Sequence, residues 1–279
     1  MVDTDLAISE LNVDDAPAGL VLSTEAHWNQ NEADWRFFLS KGVVFGVRDH
    51  AGRLVATAAL LPYSAGNAWI SMVLVTQAWR RRGLATRLVD ACLNKAGELG
   101  LTTWLDATPA GAAVYGPLGF TPTLQSRRLR LEVATAPRVG PPCATAPLAA
   151  CDLNKFMARD CSAIGFGRGD LLRELATRSG SQLVSNGTAM ALIRDGRTAR
   201  HIGPLFADHA DHALALVSDI AAGESRPLLI DAVAERDDFL KGLTDSAWKI
   251  ERPFQRMRFG RTTTQASEPP FAVVGPEYG

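Results

Sequence analysis

The stretch Val73-Leu74-Val75-Thr76-Gln77-Ala78-Trp79-Arg80-Arg81-Arg82-Gly83-Leu84-Ala85 decides how this chain is read. An apolar strand ends at Val75, a basic turn with a single glycine follows, and an amphipathic helix begins near Gly83. Leu84, Leu88, Cys92, Ala96 and Leu99 recur at helical spacing as one apolar stripe, and Gly100 ends the helix. Such a junction aims several backbone N–H groups and the positive end of a helix dipole at one place. It is an anion site, suited to a pyrophosphate. Gly83 permits close approach to the backbone and Ala85 keeps the first helical turn small. Arg80, Arg81 and Arg82 add charge without all needing to touch a ligand. The spacing is not the GxGxxG of a dinucleotide fold, and no GKS or GKT marks a P-loop.

Upstream of this junction the chain alternates elements. Leu6–Leu11 reads as a strand, 20–26 and 32–39 as helices, Val43–Arg48 and Leu54–Leu61 as a hairpin about Asp49-His50-Ala51-Gly52, and Ala68–Val75 as a fourth strand. Downstream come a strand at Leu101–Asp106, a short helical turn at Gly111–Pro117 and a strand at 127–133. Residues 134–150, ATAPRVGPPCATAPLAA, carry four prolines and one charge and read as a linker. The second half then repeats the element order of the first, most clearly in Trp104-Leu105-Asp106-Ala107 against Leu229-Ile230-Asp231-Ala232. The expectation is an α/β fold with a mixed, mostly antiparallel twisted sheet flanked by helices. One copy spans residues 1–133 and a second spans 151–279. Phe271–Val274, near the end, reads as an added edge strand.

Composition limits the classes of function. The chain has 279 residues, 47% of them hydrophobic and 21% charged, with 29 basic against 30 acidic side chains. Nothing in that balance draws it to nucleic acid. The uncharged run Leu54–Trp79 is broken by Pro62, Ser64, Gly66 and Asn67, short of a membrane span. The N-terminus lacks a signal peptide's basic start, and the four cysteines form no CxxC pair, so a reduced cytoplasmic protein without a metal is expected. Residues 1–35 hold eight acids and no Lys or Arg. This is either a solvated acidic face or a segment favouring a cationic substrate.

Beside the anion turn stands a second motif, Tyr115-Gly116-Pro117-Leu118-Gly119-Phe120. Arg80-x-x-Gly83-x-Ala85 followed about thirty residues later by a Tyr four residues before a Gly-Phe pair resembles the GNAT acyltransferases. The likeness covers roughly residues 5–133. The whole chain resembles the tandem-GNAT bacterial proteins of the YitH-like group, through Ala68-Trp69-Ile70, Leu105-Asp106-Ala107-Thr108-Pro109, Gly165-Phe166-Gly167-Arg168 and Ile202-Gly203-Pro204-Leu205. The resemblance implies that acetyl-CoA is the co-substrate. Val73, Leu74 and Val75 would face its pantetheine arm, and the backbone of Arg80, Arg81, Arg82, Gly83, Leu84, Ala85 and Thr86 would cradle the pyrophosphate. Thr108 would stand near the pantetheine, and Tyr115 would protonate the departing thiolate. No carboxylate occupies the fourth strand, where Ser71 and Met72 stand, so the base stays open among Asp106, His27, Asp34, Asp160 and a water relay. Trp28 and Asn29, with Asp34 and Asp160, are candidate acceptor contacts.

Laying Asp231 over Asp106 places Leu240 where Tyr115 would be, and Ala207-Asp208-His209-Ala210-Asp211-His212 replaces the basic turn. The second copy therefore reads as degenerate, a wall or lid over the acceptor cleft that contributes through Asp160-Cys161 and Gly165–Arg168. The expected function is acetyl transfer from acetyl-CoA to a small-molecule amine by direct attack, in a monomer or homodimer. The alternatives are a non-catalytic acyl-CoA sensor or a protein acetyltransferase.

Overall fold

The computed structural model describes residues 6–132, 149–150, 152–261 and 266–279. In the first half the elements are β1 (Ile8–Glu10), α1 (Ala16–Glu25), α2 (Glu32–Lys41), β2 (Val43–Arg48), β3 (Leu54–Tyr63), β4 (Asn67–Val75), α3 (Leu84–Glu98), β5 (Thr102–Ala107), α4 (Pro109–Tyr115) and β6 (Thr121–Leu131). The second half gives β7 (Ala149–Ala150), α5 (Leu153–Ile164), α6 (Gly169–Thr177), β8 (Gln182–Asn186), β9 (Ala189–Asp195), β10 (Arg200–Phe206), α7 (Ala210–Gly223), β11 (Leu228–Val233), α8 (Asp237–Asp245) and β12 (Lys249–Phe259). The segment expected as a linker lies outside the described residues except for Ala149–Ala150, which pair with β8.

All strands join one 12-stranded sheet in the order β1-β2-β3-β4-β5-β12-β6-β11-β10-β9-β8-β7. Among the described strands only β4–β5 and β10–β11 are parallel. The order is symmetric about its centre, each half supplying five strands to its own wing and its last strand to the other. β12 lies against β5, and β6 lies against β11. Along the two exchanged strands the burial alternates in nearly the same pattern, residue for residue. Each also brings a buried arginine to the other half's aspartate. Arg256 Nε and Nη2 donate to Asp106 at 2.9 Å each, and Arg128 Nε and Nη2 donate to Asp231 at 2.8 and 2.7 Å.

Both exchanged strands start about six residues earlier than the sequence indicates. Pro122 and Pro253 hide them, because proline removes a ladder donor. The structure tolerates both beside register shifts, between Arg256 and Met257 and between Ile250 and Arg252. The end of the chain also departs from expectation. Phe271–Val274 is buried rather than at an edge, and Ala272 bridges Leu205 of β10 and Ala232 of β11. Arg168 Nη1 binds the carbonyl of Tyr278 at 2.9 Å and also that of Gly279, while its other donors close on Asp160. Tyr278 stacks on Phe38, centroids 5.0 Å apart, and its hydroxyl donates to Asp34 at 2.7 Å. Asn29 joins the halves through Thr198 and Ala199. Among the described residues no helix is long and apolar enough to cross a membrane.

Burial would raise the Asp231 carboxyl, but Arg128 and the neighbouring His201 outweigh it and hold it far below the usual range. Burial, helped by Arg194, pulls the His201 imidazole below its ordinary value against the opposing effect of Asp231. Both depressed groups take up protons more readily in the unfolded chain, so stability falls as pH falls. Thermal melts should show a first decline below about pH 6.5 and a second in the carboxylate range. His201→Gln should flatten the first. Asp231→Ala, which strands Arg128, should cost roughly 3–5 kcal/mol in urea unfolding at neutral pH.

Candidate active site

β4 and β5 pair only at their beginnings, Asn67–Trp69 against Thr102–Trp104, and then part. β4 bends there because it carries one residue too many. Its pairing with β3 skips from Thr57↔Leu74 to Ala59↔Ser71, leaving Met72 and Val73 opposite Ala58. Met72 takes a left-handed φ of 50°, and Thr57 Oγ1 donates to its carbonyl at 2.8 Å. Bulges of this kind end pairing and re-aim a strand. From Ile70 onward the edge of β4 that faced β5 has no strand partner.

The turn after β4 is built to leave N–H groups free. A single 3-10 turn, Gln77–Trp79, is followed by Arg81 at φ 61° and by Gly83 at φ 75°, which precedes α3 without a side-chain cap. None of the backbone N–H groups from Arg81 to Thr86 has a hydrogen-bond partner among the described residues. A Cβ on Gly83 would meet nothing within 4 Å, so the left-handed φ, not crowding, calls for glycine. Two of the arginines brace the turn: Arg80 Nε donates to Val75 O at 3.1 Å, and Arg82 lies 4.6 Å over Trp79 while donating to Ala78 O. Arg81 makes no such side-chain contact. Glu25 clasps the other side, accepting from Thr76 Oγ1 at 2.6 Å and Gln77 N at 2.7 Å. Those bonds lower its pKa.

Tyr115 ends α4 on the wall of the cavity that opens where β4 and β5 part. Burial, with a smaller effect from Cys92, pushes its hydroxyl up to about 12, so it carries its proton throughout the neutral range. That hydroxyl has no hydrogen-bond partner among the described residues. Thr108 also lines the cavity but is committed as the N-cap of α4, its oxygen accepting from Gly111 N at 3.2 Å. Gly111 lies against the tyrosine ring, and a Cβ there would fall 3.0 Å from Tyr115 Cε2. Val73 lines the cavity, whereas Leu74 is buried in the core beneath α1 and α2.

The remaining candidates scatter. Trp28 lines the cavity, but His27 is exposed outside it, in the left-handed turn after α1. Asp106 lines it with each oxygen accepting from Arg256, so its charge is already paired. Asp34 completes the Asn31 capping box and holds Arg178 and Tyr278. Asn29 serves the contact between halves, and Asp160 is closed on Arg168. Arg168, fixed by Asp160, thus holds the chain's end, Gly167 bonds Ser64, and none of residues 160–161 and 165–168 lines the cavity. None of the described carboxylates of residues 1–35 lines it either; Glu25 clasps the anion turn, and Asp15 and Glu32 meet Arg48 and Arg36. What sequence reasoning missed comes mainly from the exchanged strands and the tail: Arg128, Arg252, Phe254, Pro276 and Glu277, with Gln30 from the first half.

The second half repeats the bulge and then closes the gap. β9 and β10 skip from Ile193↔Ile202 to Ala191↔Leu205, leaving Gly203 and Pro204 opposite Leu192. β10 and β11 pair at Arg200–Ile202 and then part, as β4 and β5 do. The gap is filled by the chain itself. Phe271 N and Leu205 N bond Leu205 O and Ala272 O, and Val273 N bonds Asp231 O at 3.0 Å. The carbonyl of Val273 lies where a Cβ on Gly203 would be, so only glycine admits the tail.

Comparison with known proteins agrees with this architecture. The family model described as Acetyltransferase (GNAT) family matches residues 7–120, and the Acetyltransferase (GNAT) domain matches residues 156–272. The chain belongs to the GNAT acetyltransferases, with one copy of the fold in each half. The uncharacterized N-acetyltransferase YitH of Bacillus subtilis (strain 168) is 24% identical over 222 residues, covering 77% of this chain and 78% of that protein. A putative acetyltransferase from Pyrococcus horikoshii superposes with a TM-score of 0.79 at 19% identity, covering 99% of this chain and 96% of its own. A tandem GNAT protein from the clavulanic acid biosynthesis pathway, solved without AcCoA, gives 0.65 at 14% identity, covering 92% of this chain and 100% of its own. At these identities the two structures attest the fold.

Gly111→Ala tests how tightly the tyrosine is placed. The methyl gains about 1 kcal/mol of helix propensity over glycine but presses on a buried ring that has little room to retreat. The expected result is a melting temperature changed by only a few degrees, together with a shifted Tyr115 ring signal in NMR spectra.

Proposed function

We propose that the first half transfers an acetyl group from acetyl-CoA to the amine of a small molecule, by direct attack of nitrogen on the thioester. One observation carries this reading: a protonated, partner-free tyrosine hydroxyl stands on the wall of a strand gap whose outer end is a turn of unpaired backbone N–H groups. The donor set suits the co-substrate. The N–H groups from Arg81 to Thr86, with the Arg81 guanidinium, would take its pyrophosphate. The edge of β4 freed beyond Ile70 would bond its amide arm, as a third strand would.

Each residue then has a task the chain can perform. The bulge at Met72 and Val73 turns β4 backbone groups toward the thioester, where an N–H donor stabilises charge building on oxygen. Tyr115 donates its proton to the sulfur as the carbon–sulfur bond breaks, and its pKa of about 12 suits a donor rather than a base. The surplus proton on the newly acylated nitrogen restores the tyrosine. The cavity is walled by both halves and by the end of the chain, which supports a small acceptor over a protein side chain.

The test is release of CoA from acetyl-CoA across a panel of amines. Tyr115→Phe should lower turnover by roughly tenfold or more, with CoA affinity unchanged by calorimetry. Unchanged turnover would remove Tyr115 from the mechanism. CoA binding without release on any amine would favour a sensor instead.

A further inference from the structure

The described charges around the cavity are closed in pairs, with Arg252 as the exception. Asp106 is taken by Arg256 and Arg128 by Asp231. Arg252 has no ion-pair or side-chain hydrogen-bond partner among the described residues. It lies on β12 directly across from Arg128, a like-charged pair that a sheet disfavours, and no described side chain neutralises it. The neighbouring acid, Glu251, is held by Arg130 at 2.5 Å. Burial and the nearness of Arg128 pull the pKa of Arg252 below its ordinary value, as expected of a half-buried cation without a counter-ion.

On the opposite account, three residues of the same lining carry a buried oxygen without a hydrogen-bond partner among the described residues: Gln30 Oε1, Ser71 Oγ and Glu277 Oε2. Buried acceptors left unpaired are costly and uncommon in a folded chain. Glu277 is held in place through its other oxygen, which accepts from Arg194 at 2.8 Å. It arrives on the tail that fills the gap of the second half and lines the same cavity as Ser71 and Met72 of β4, a strand that carries no carboxylate. One cation lacking an anion and a set of acceptors lacking N–H donors make a site for a molecule with both groups.

We propose that the acceptor is a small amine bearing its own anionic group, a carboxylate above all. Its anion is held by Arg252, and its nitrogen lies among Gln30, Ser71 and Glu277, with Glu277 as proton acceptor. The inference rests on the acetyl-transfer reading for its chemistry but not for its binding. In the reaction the incoming ammonium gives one proton to Glu277. The amine forms the nitrogen–carbon bond as the carbon–sulfur bond breaks, Tyr115 protonates sulfur, and the nitrogen's second proton returns to Tyr115. Glu277 then releases its proton to water, leaving an amide, CoA and one proton.

The experiment uses the full chain saturated with CoA and titrates it with free amino acids, their α-amides, phosphoethanolamine and spermidine. The same panel is then run with acetyl-CoA for turnover. Amino acids should bind at least about tenfold more tightly than their amides, the worth of one charge-assisted contact. Arg252→Ala should erase that preference without changing CoA affinity or amide binding, and Arg252→Lys should restore part of it. Tighter binding of phosphoethanolamine than of any amino acid would assign the anion as phosphate and overturn the carboxylate. Glu277→Gln should lower kcat about tenfold or more and remove the acidic limb of the kcat/KM pH profile. Retention of that limb would overturn its role. Amides or spermidine binding as well as amino acids, or Arg252→Ala leaving the ratio intact, would overturn the ligand class. Selective binding with no CoA release would instead sink acetyl transfer and leave the ligand class standing.

Discussion

The exchange of the last strands, keyed by Arg256 on Asp106 and Arg128 on Asp231, is the constraint on which the rest depends. Each arginine comes from the opposite half to its aspartate, and each pair is buried. A buried ion pair adds little net stability over an apolar pair, but stranding one partner is expensive. In a strand whose side chains alternate faces, a slip of one residue would strand both members at once. The pairs therefore fix the register of the central strands, and with it the facing of Arg252 and Phe254 toward the cavity. The two halves cannot be parted without opening the middle of one continuous sheet.

That interlock explains why one copy keeps an open gap and the other does not. Both copies bulge at the same place and both pull their parallel strands apart. Only the first follows its bulge with a basic turn, Arg80–Arg82, ahead of its helix. In the second, β10 runs almost directly into α7, and the backbone groups of the gap are met by Phe271–Val273. Unsatisfied backbone groups inside a protein must find partners. In one half a ligand can supply them, and in the other the chain does.

How much of this the sequence revealed depended on the range of each signal. The anion turn, the helix stripe of α3 and the Tyr115 motif are local, and residues 73–120 alone carry them. The element order of both halves was legible for the same reason. The exchange was not, because nothing in 121–131 or 249–259 distinguishes pairing within a half from pairing across it, and Pro122 and Pro253 masked the strands' beginnings. The partners of the carboxylate candidates were hidden in a related way. Asp106, Asp34 and Asp160 were visible as carboxylates, but their arginine partners stand 150, 144 and 8 residues away. Only Arg168 was close enough to Asp160 to be suspected. Glu277 drew no notice because a lone acid near the end of a chain reads as solvated, and only the tail's burial gives it a site.

The acid-rich beginning shows how charge counted along a sequence can mislead about charge counted in space. Its described carboxylates brace helices, clasp the anion turn or lie at the surface, and the cavity receives none of them. The cavity's own field is set by residues from four separate stretches: Asp106 from β5, Arg128 from β6, Arg252 from β12 and Glu277 from the tail. Pairing cancels that charge except at Arg252, so a ligand would meet one unpaired guanidinium and one Glu277 oxygen free of hydrogen bonds. The exchange carries Arg252 in and the filled gap of the second half brings in the tail with Glu277, so the second copy supplies both groups. Under the proposed acetyl transfer, a copy without a basic turn and a tyrosine would still serve, by holding the acceptor side of a site whose other side is the first copy's gap.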